Sequence, residues 1–189
     1  MKPWHKKSSL VFGTRYVTQL EPIEREMLGN SAATVSDRLM ERVRTAPKDE
    51  LAELTGMSSG HEEAPQDPGL RRILPNFFRD GDEEVEGEAG LMRQLNETDI
   101  IKEKLIALRF ICDTIGPDGS VNVTVSESEV RRWLNAITDI RNFHYAEVEY
   151  HQLTGDMTDE QIQAAKNYVD WLGYHQDTLL EAIMGKFDF

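Results

Sequence analysis

Apolar residues recur at spacings of three and four along most of this chain, the period of one face of an α-helix. The pattern is clearest over 126–150, where Val130, Trp133, Leu134, Ile137, Ile140, His144 and Val148 form one stripe. Ser126 and Glu129 predict its start as a capping box, in which each side chain accepts from the other residue's backbone N–H. Three further stripes follow. Leu28, Ala32, Val35, Leu39 and Val43 predict a helix opened by Glu21-Pro22 and closed before Ala46-Pro47, since proline suits the first helical position and restricts the residue before it. Ile101, Leu105, Leu108, Cys112 and Ile115 predict a helix over 97–115, capped by Asn96. Ile162, Ala165, Val169, Leu172, Leu179 and Ile183 predict the last, with Thr158 and Gln161 as its capping box.

The remaining segments are shorter. Residues 8–20 hold two β-type runs on either side of Gly13-Thr14, which suits a hairpin with a type II′ turn. A lone hairpin is unstable in water, so it must lie on the helical body. Residues 121–125 read as a short strand that pairs with it. A short helix is predicted over 48–55, and a helical turn over 70–75, closed by Pro75. Two stretches, 57–69 and 79–90, read as loop or mobile segments. The second contains six acids in the nine residues 80–88, which repel one another and bring almost no apolar surface. The fold expected is mainly α: a single domain over 1–189, an antiparallel helical bundle with a small N-terminal β-hairpin and an acidic mobile insertion.

Charge narrows the range of partners. With 21 basic and 34 acidic residues the formal net charge is −13. Such a field repels a polyanion, so direct nucleic-acid binding is not expected; Lys2, Lys6 and Lys7 are the basic arm that would serve it. From residue 143 to the end nine acids face two bases, which serves solubility or offers a docking face to a basic protein. Cys112 is the one cysteine, so no intrachain disulfide can form, which fits a reducing cytoplasm. The N-terminal stretch has no apolar run suited to a signal peptide, and nothing approaches the ~20 residues of a membrane span. A cytoplasmic location is expected, with no membrane partner.

Candidate chemistry is sparse. His144, Glu147 and His151 lie at i, i+3 and i+7, a spacing able to hold a divalent metal and the basis for a metal-dependent enzyme. A partly buried His144 beside two solvated groups is the plainer reading. Cys112 is a weak redox candidate, with Arg109 one turn away; on an apolar stripe it is otherwise a small inert hydrophobe. No nucleophile elbow, metalloprotease helix motif or phosphate-binding glycine loop is present, and no cofactor is called for. Asp139 and Arg141 flank Ile140 two residues apart and cannot face each other, so each needs another partner. Arg72, beside Ile73-Leu74-Pro75, is the candidate partner of Asp139 in a structural ion pair.

Several segments together resemble a known family. Leu70-Arg71-Arg72-Ile73-Leu74-Pro75, Leu95-Asn96-Glu97 with Lys104, Trp133-Leu134, Asp139-Ile140-Arg141, and Tyr168 through Trp171-Leu172-Gly173 to Gln176 occur in that order. The set resembles the actinobacterial family first catalogued as a domain of unknown function (number two thousand and seventeen), whose members are named oxidative-stress transcriptional regulators. The resemblance implies a non-enzymatic regulator that contacts a stress sigma factor or related machinery and acts on cysteine-biosynthesis genes. An alternative it implies is an adaptor or modulator of Clp-type proteolysis, with a Clp-associated protein as partner. A redox-sensing member would be expected to use a cysteine pair. With Cys112 alone, sensing would need a mixed or intermolecular disulfide or another input. The resemblance does not fix the oligomeric state.

Overall fold

The computed structural model describes residues 1–9, 13–47, 59–78, 87–116 and 122–185. Among them are strands β1 (His5–Ser9), β2 (Gly13–Gln19) and β3 (Asn122–Ser126), and helices α1 (Pro22–Arg44), α2 (Pro68–Ile73), α3 (Glu88–Ile115), α4 (Val130–Thr154) and α5 (Asp159–Met184). The long helices α1, α3, α4 and α5 form the antiparallel bundle. Helix α4 is its centre, packing against every other helix, with α1 also packed on α3. The core it anchors is apolar: Leu28, Val35 and Leu39 from α1, Leu108 and Ile111 from α3, Trp133, Ile137 and Ile140 from α4, and Leu172 and Leu179 from α5 are all shut off from solvent.

The strands form one antiparallel sheet in the order β1-β2-β3. Tyr16 pairs across both interfaces, with Lys6 and Val125. Tyr16, Val123 and Val125 are buried, and Trp4 reaches Trp133 edge-on with ring centroids 5.6 Å apart. Residues 122–126 thus join the N-terminal strands, as expected.

Several expectations are corrected. The hairpin turn is not at Gly13-Thr14: both residues lie within β2, opposite Ser9 and Ser8. Strand β1 lies earlier, over His5–Ser9, a polar run with no apolar alternation to announce it. Asn96 is not a cap. Helix α3 starts at Glu88, behind Gly87 at φ 83°, and the Asn96 side chain donates to the Met92 carbonyl within the helix (2.7 Å). The runs 57–69 and 79–90 are therefore not all loop, since 68–69 open α2 and 88–90 are helical. At α4 only half of the capping box forms. The Glu129 carboxylate accepts from the Ser126 N–H (2.9 Å) and from the Ser126 hydroxyl (2.6 Å), while the Glu129 N–H donates to the Ser126 backbone carbonyl (3.2 Å) and not to the hydroxyl, and the helix begins at Val130. Val43, at the end of the α1 stripe, is exposed. The Thr158–Gln161 box forms in both directions. The predicted helix over 48–55 and residues 79–86 of the acidic stretch lie outside the described residues.

Candidate functional site

Polar side chains inside the bundle tie one helix to the next. Asp139, on α4, is buried and faces α3, where the Lys104 ammonium meets it at 2.6 Å. Burial pushes the Asp139 carboxyl above its ordinary value, against the pull of Lys104. The acid therefore finds its cation on α3, and the predicted pairing with Arg72 is not made. Helix α2 presents Arg72 to the Tyr145 ring instead, 6.0 Å from its centroid. Arg141 faces the other neighbour of α4, donating to the Gln176 side chain of α5 (3.0 Å), which in turn donates to Thr138 (2.8 Å). The guanidinium lies against Gly173, where a Cβ would meet it at 3.4 Å, an ordinary contact.

A denser cluster closes one end of the bundle. Glu97 and Arg93, on α3, are almost fully buried and paired at 2.7 Å. Arg42 of α1 meets the same carboxylate at 2.8 Å. Arg93 also donates to the carbonyls of Leu74 (3.3 Å) and Pro75 (3.0 Å) and to the Asn76 side chain (3.2 Å). Arg42 donates to the Glu63 carbonyl, and its own carbonyl binds the His61 ring (2.9 Å). Two guanidiniums thus share one carboxylate and fasten residues 61–76 to α1 and α3. Asp67 caps α2 by accepting from the Leu70 N–H at 2.7 Å. The sequence signal for this cluster is the α3 stripe itself: extended back from Ile101 in steps of four, it passes through Glu97 and Arg93, two charges at core positions.

Aromatic rings fill the space between α4, α5 and the sheet. Trp133 donates to His175 Nε2 at 2.9 Å, so His175 is neutral with its proton on Nδ1, which lies 3.0 Å from the Met1 sulfur. Burial, helped by the nearby Met1 amino group, lowers its pKa to about 3. Trp171 donates to Glu24 (2.9 Å), as does the Met1 amino group. Burial alone would raise the Glu24 carboxyl, but these bonds and the Glu21 N–H hold it below its ordinary value. His175 stands between Leu172 and Leu179 on the α5 stripe, a position that already marked it as interior.

The candidate metal ligands are not brought together as a ligand set. His144 is mostly buried against Phe143 and Tyr168, with its pKa lowered to about 4 by burial, and its Nε2 has no partner among the described residues. Glu147 accepts from the Gly69 N–H (3.2 Å) and lies 3.8 Å from His151, whose other nitrogen meets Asp156 at 2.8 Å. Among the described residues no group of three His, Cys, Asp or Glu has the geometry to hold a metal. Cys112 is half-buried beside Arg25, Gly29 and Asn30 in an open depression of about 700 Å³. Burial, then Asp113, pushes its thiol up, away from thiolate character. Arg109 is spent on Asp113, 3.5 Å away. An open groove of about 670 Å³ runs along α3 and α4 above the Lys104–Asp139 pair, rimmed by Asp99, Glu103, Arg131 and Arg132.

Fold and polar chemistry together define an acidic helical-bundle protein with ion pairs buried between its helices. The chain belongs to the family described as Domain of unknown function (DUF2017), whose model matches residues 1–183. It is similar to the oxidative stress regulator AosR of Mycobacterium tuberculosis and of Mycobacterium bovis, 32% identical over 187 residues, covering 92% of this chain and 84% of theirs. A relative from Mycobacterium leprae is 29% identical over 150 residues, covering 75% of this chain and 68% of its own. No solved structure matches the chain. Among the described residues, no helix is long and apolar enough to cross a membrane.

Proposed function

We propose that this protein is an oxidative-stress regulator that works by protein contact, engaging a stress sigma factor or related transcription machinery in the cytoplasm to raise expression of cysteine-biosynthesis genes. The observation that carries this reading is the similarity to proteins named oxidative stress regulator AosR across 92% of the chain. Two physical features agree with it. The buried ion pairs Arg42–Glu97, Arg93–Glu97 and Lys104–Asp139 are occupied in holding the bundle together, which points to the surface as the working part of the molecule. A net charge of −13 disfavours a direct hold on DNA and favours polypeptide partners. With one cysteine, the oxidative input reaches the protein through a mixed or intermolecular disulfide at Cys112, or through its partner.

The test is genetic and biochemical together. Deleting the gene should abolish induction of cysteine-biosynthesis transcripts under peroxide, and the wild-type gene should restore it. Purified protein added to transcription by the sigma-factor holoenzyme should raise output from those promoters. Unchanged induction in the deletion strain would overturn the proposal.

A further inference from the structure

The first twenty residues contain Lys2, Lys6, Lys7 and Arg15 and no acid; all 34 acids follow Leu20. Strand β3, NVTVS, adds no charge. The sheet is therefore a cationic element on a strongly anionic molecule. Its register sorts the charges. Tyr16, Thr18, Val123 and Val125 are buried beneath it. On the opposite face His5, Val17 and Thr124 form one row, and Lys7, Arg15 and Ser126 form the next. Glu129 lies close to Arg15 at that corner and is held below its ordinary value partly by it, after the bonds from Ser126. Toward the other end, Lys2, His5, Lys7, Gln19, Asn122 and Thr124 line a shallow depression of about 260 Å³. Among the described residues no carboxylate pairs with Lys2, His5 or Lys7. Among the described residues strand β1 is an edge, with β2 as its one neighbouring strand, and the residues from His5 to Ser8 are exposed.

We propose that this outer face and the open edge of β1 dock an extended acidic segment of a partner polypeptide. An edge strand offers backbone groups to an added strand, and alternate side chains then supply the specificity. Here the alternate positions on the outer face of β1 are His5 and Lys7, about 7 Å apart at strand spacing. Carboxylates at every second residue of an incoming strand match them. Lysines on the edge repel apolar or basic strands, which makes the same edge selective. The occupant is a short acidic segment in preference to a nucleic acid because the cationic area is small. A long polyanion leaving it would run onto the rest of a molecule whose net charge is −13. This inference deepens the proposed function by naming a contact surface, and rests on that reading for its biological partner.

The test uses the full chain and a fluorescein-labelled peptide alternating Glu and Thr, with a peptide alternating Lys and Thr as its counterpart. Wild-type protein should bind the Glu peptide saturably and the Lys peptide not at all, and the double variant Lys2→Glu, Lys7→Glu should bind at least tenfold more weakly. Amide shifts in wild-type protein, which do not depend on how the variant folds, should move at residues 5–9 and little elsewhere. Lack of saturable binding, shifts confined to another surface, or binding unchanged in a folded variant would each overturn the proposal. So would tighter binding of a single-stranded oligonucleotide at the same face, or self-association that the variant abolishes. None of these results touches the gene-deletion test, and a failure there leaves the peptide result standing as a property of the sheet.

Discussion

Asp139 shows what one buried charge demands of its neighbours. Removing one member of a buried pair leaves the other unsolvated and typically costs ~3–5 kcal/mol. The Lys104–Asp139 pair keeps some solvent at the groove floor, so Lys104→Met should cost about 2 kcal/mol in urea unfolding. Replacing both, Lys104→Met with Asp139→Leu, should recover most of that loss, because no charge is then stranded. The histidines make a second prediction. His175 and His144 have pKa values lowered to about 3 and about 4, against 6.5 when unfolded. Between roughly pH 4 and 6.5 the unfolded chain binds protons that the folded chain refuses, so stability is full above that window and falls as pH drops through it. Each histidine contributes about 1.4 kcal/mol per pH unit. Asp139, with its carboxyl raised, acts in the opposite sense just above 3.8 and softens the acid end. His144→Phe, which keeps a ring against Phe143 and Tyr168, should roughly halve the slope of unfolding free energy between pH 5 and 6.

At the level of elements, helix α2 is a six-residue piece whose place depends on close contact. A Cβ at Gly69 would sit 2.5 Å from the Phe143 ring of α4, a distance no packing adjustment absorbs cheaply. Gly69→Ala should therefore lift α2 off α4 and cost about 2–3 kcal/mol, read as a lower urea midpoint at unchanged slope. Gly173→Ala, whose nearest contact is the flexible Arg141 at 3.4 Å, should cost much less. The same elements show where pattern reading succeeds. Helices α1, α4 and α5 are legible because their buried positions are apolar at helical spacing, and α5 stops at Met184, one residue past the last position of its stripe, Ile183. The first turns of α3 were hidden because Arg93 and Glu97 occupy core positions, and a charge in a stripe reads as the end of one. Partner choice was illegible for a different reason. That Asp139 meets Lys104 and not Arg72 depends on which face of α4 each helix covers, and spacing along one chain does not carry that. Glu97, Lys104, Trp133, Asp139, Arg141 and Gln176, met first as marks of a family, turn out to be the contacts between helices.

The whole molecule carries its excess of acids on a bundle whose own sheet is cationic. Self-repulsion of like charges destabilises a compact state and is screened by salt, over a Debye length of about 10 Å at 0.1 M. The buried Arg42–Glu97–Arg93 cluster and the Lys104–Asp139 pair are shielded from that screening by burial, whereas the exposed Arg44–Glu41 and Arg109–Asp113 pairs each contribute little in any medium. The repulsive part should therefore dominate the salt response. Raising NaCl from about 0.01 to about 0.3 M should stabilise the protein by roughly 1 kcal/mol, or about 2–4 °C in melting temperature for a chain of this size. Sucrose at matched osmolality, which screens nothing, separates this from a general solute effect. A melting temperature that falls with salt would mean that exposed ion pairs outweigh the repulsion, and that the acid excess does not strain the fold. The same titration bears on docking. Salt that relaxes the bundle should weaken the attraction between the sheet and an acidic peptide, so stability and peptide affinity should move in opposite directions along one ionic-strength series.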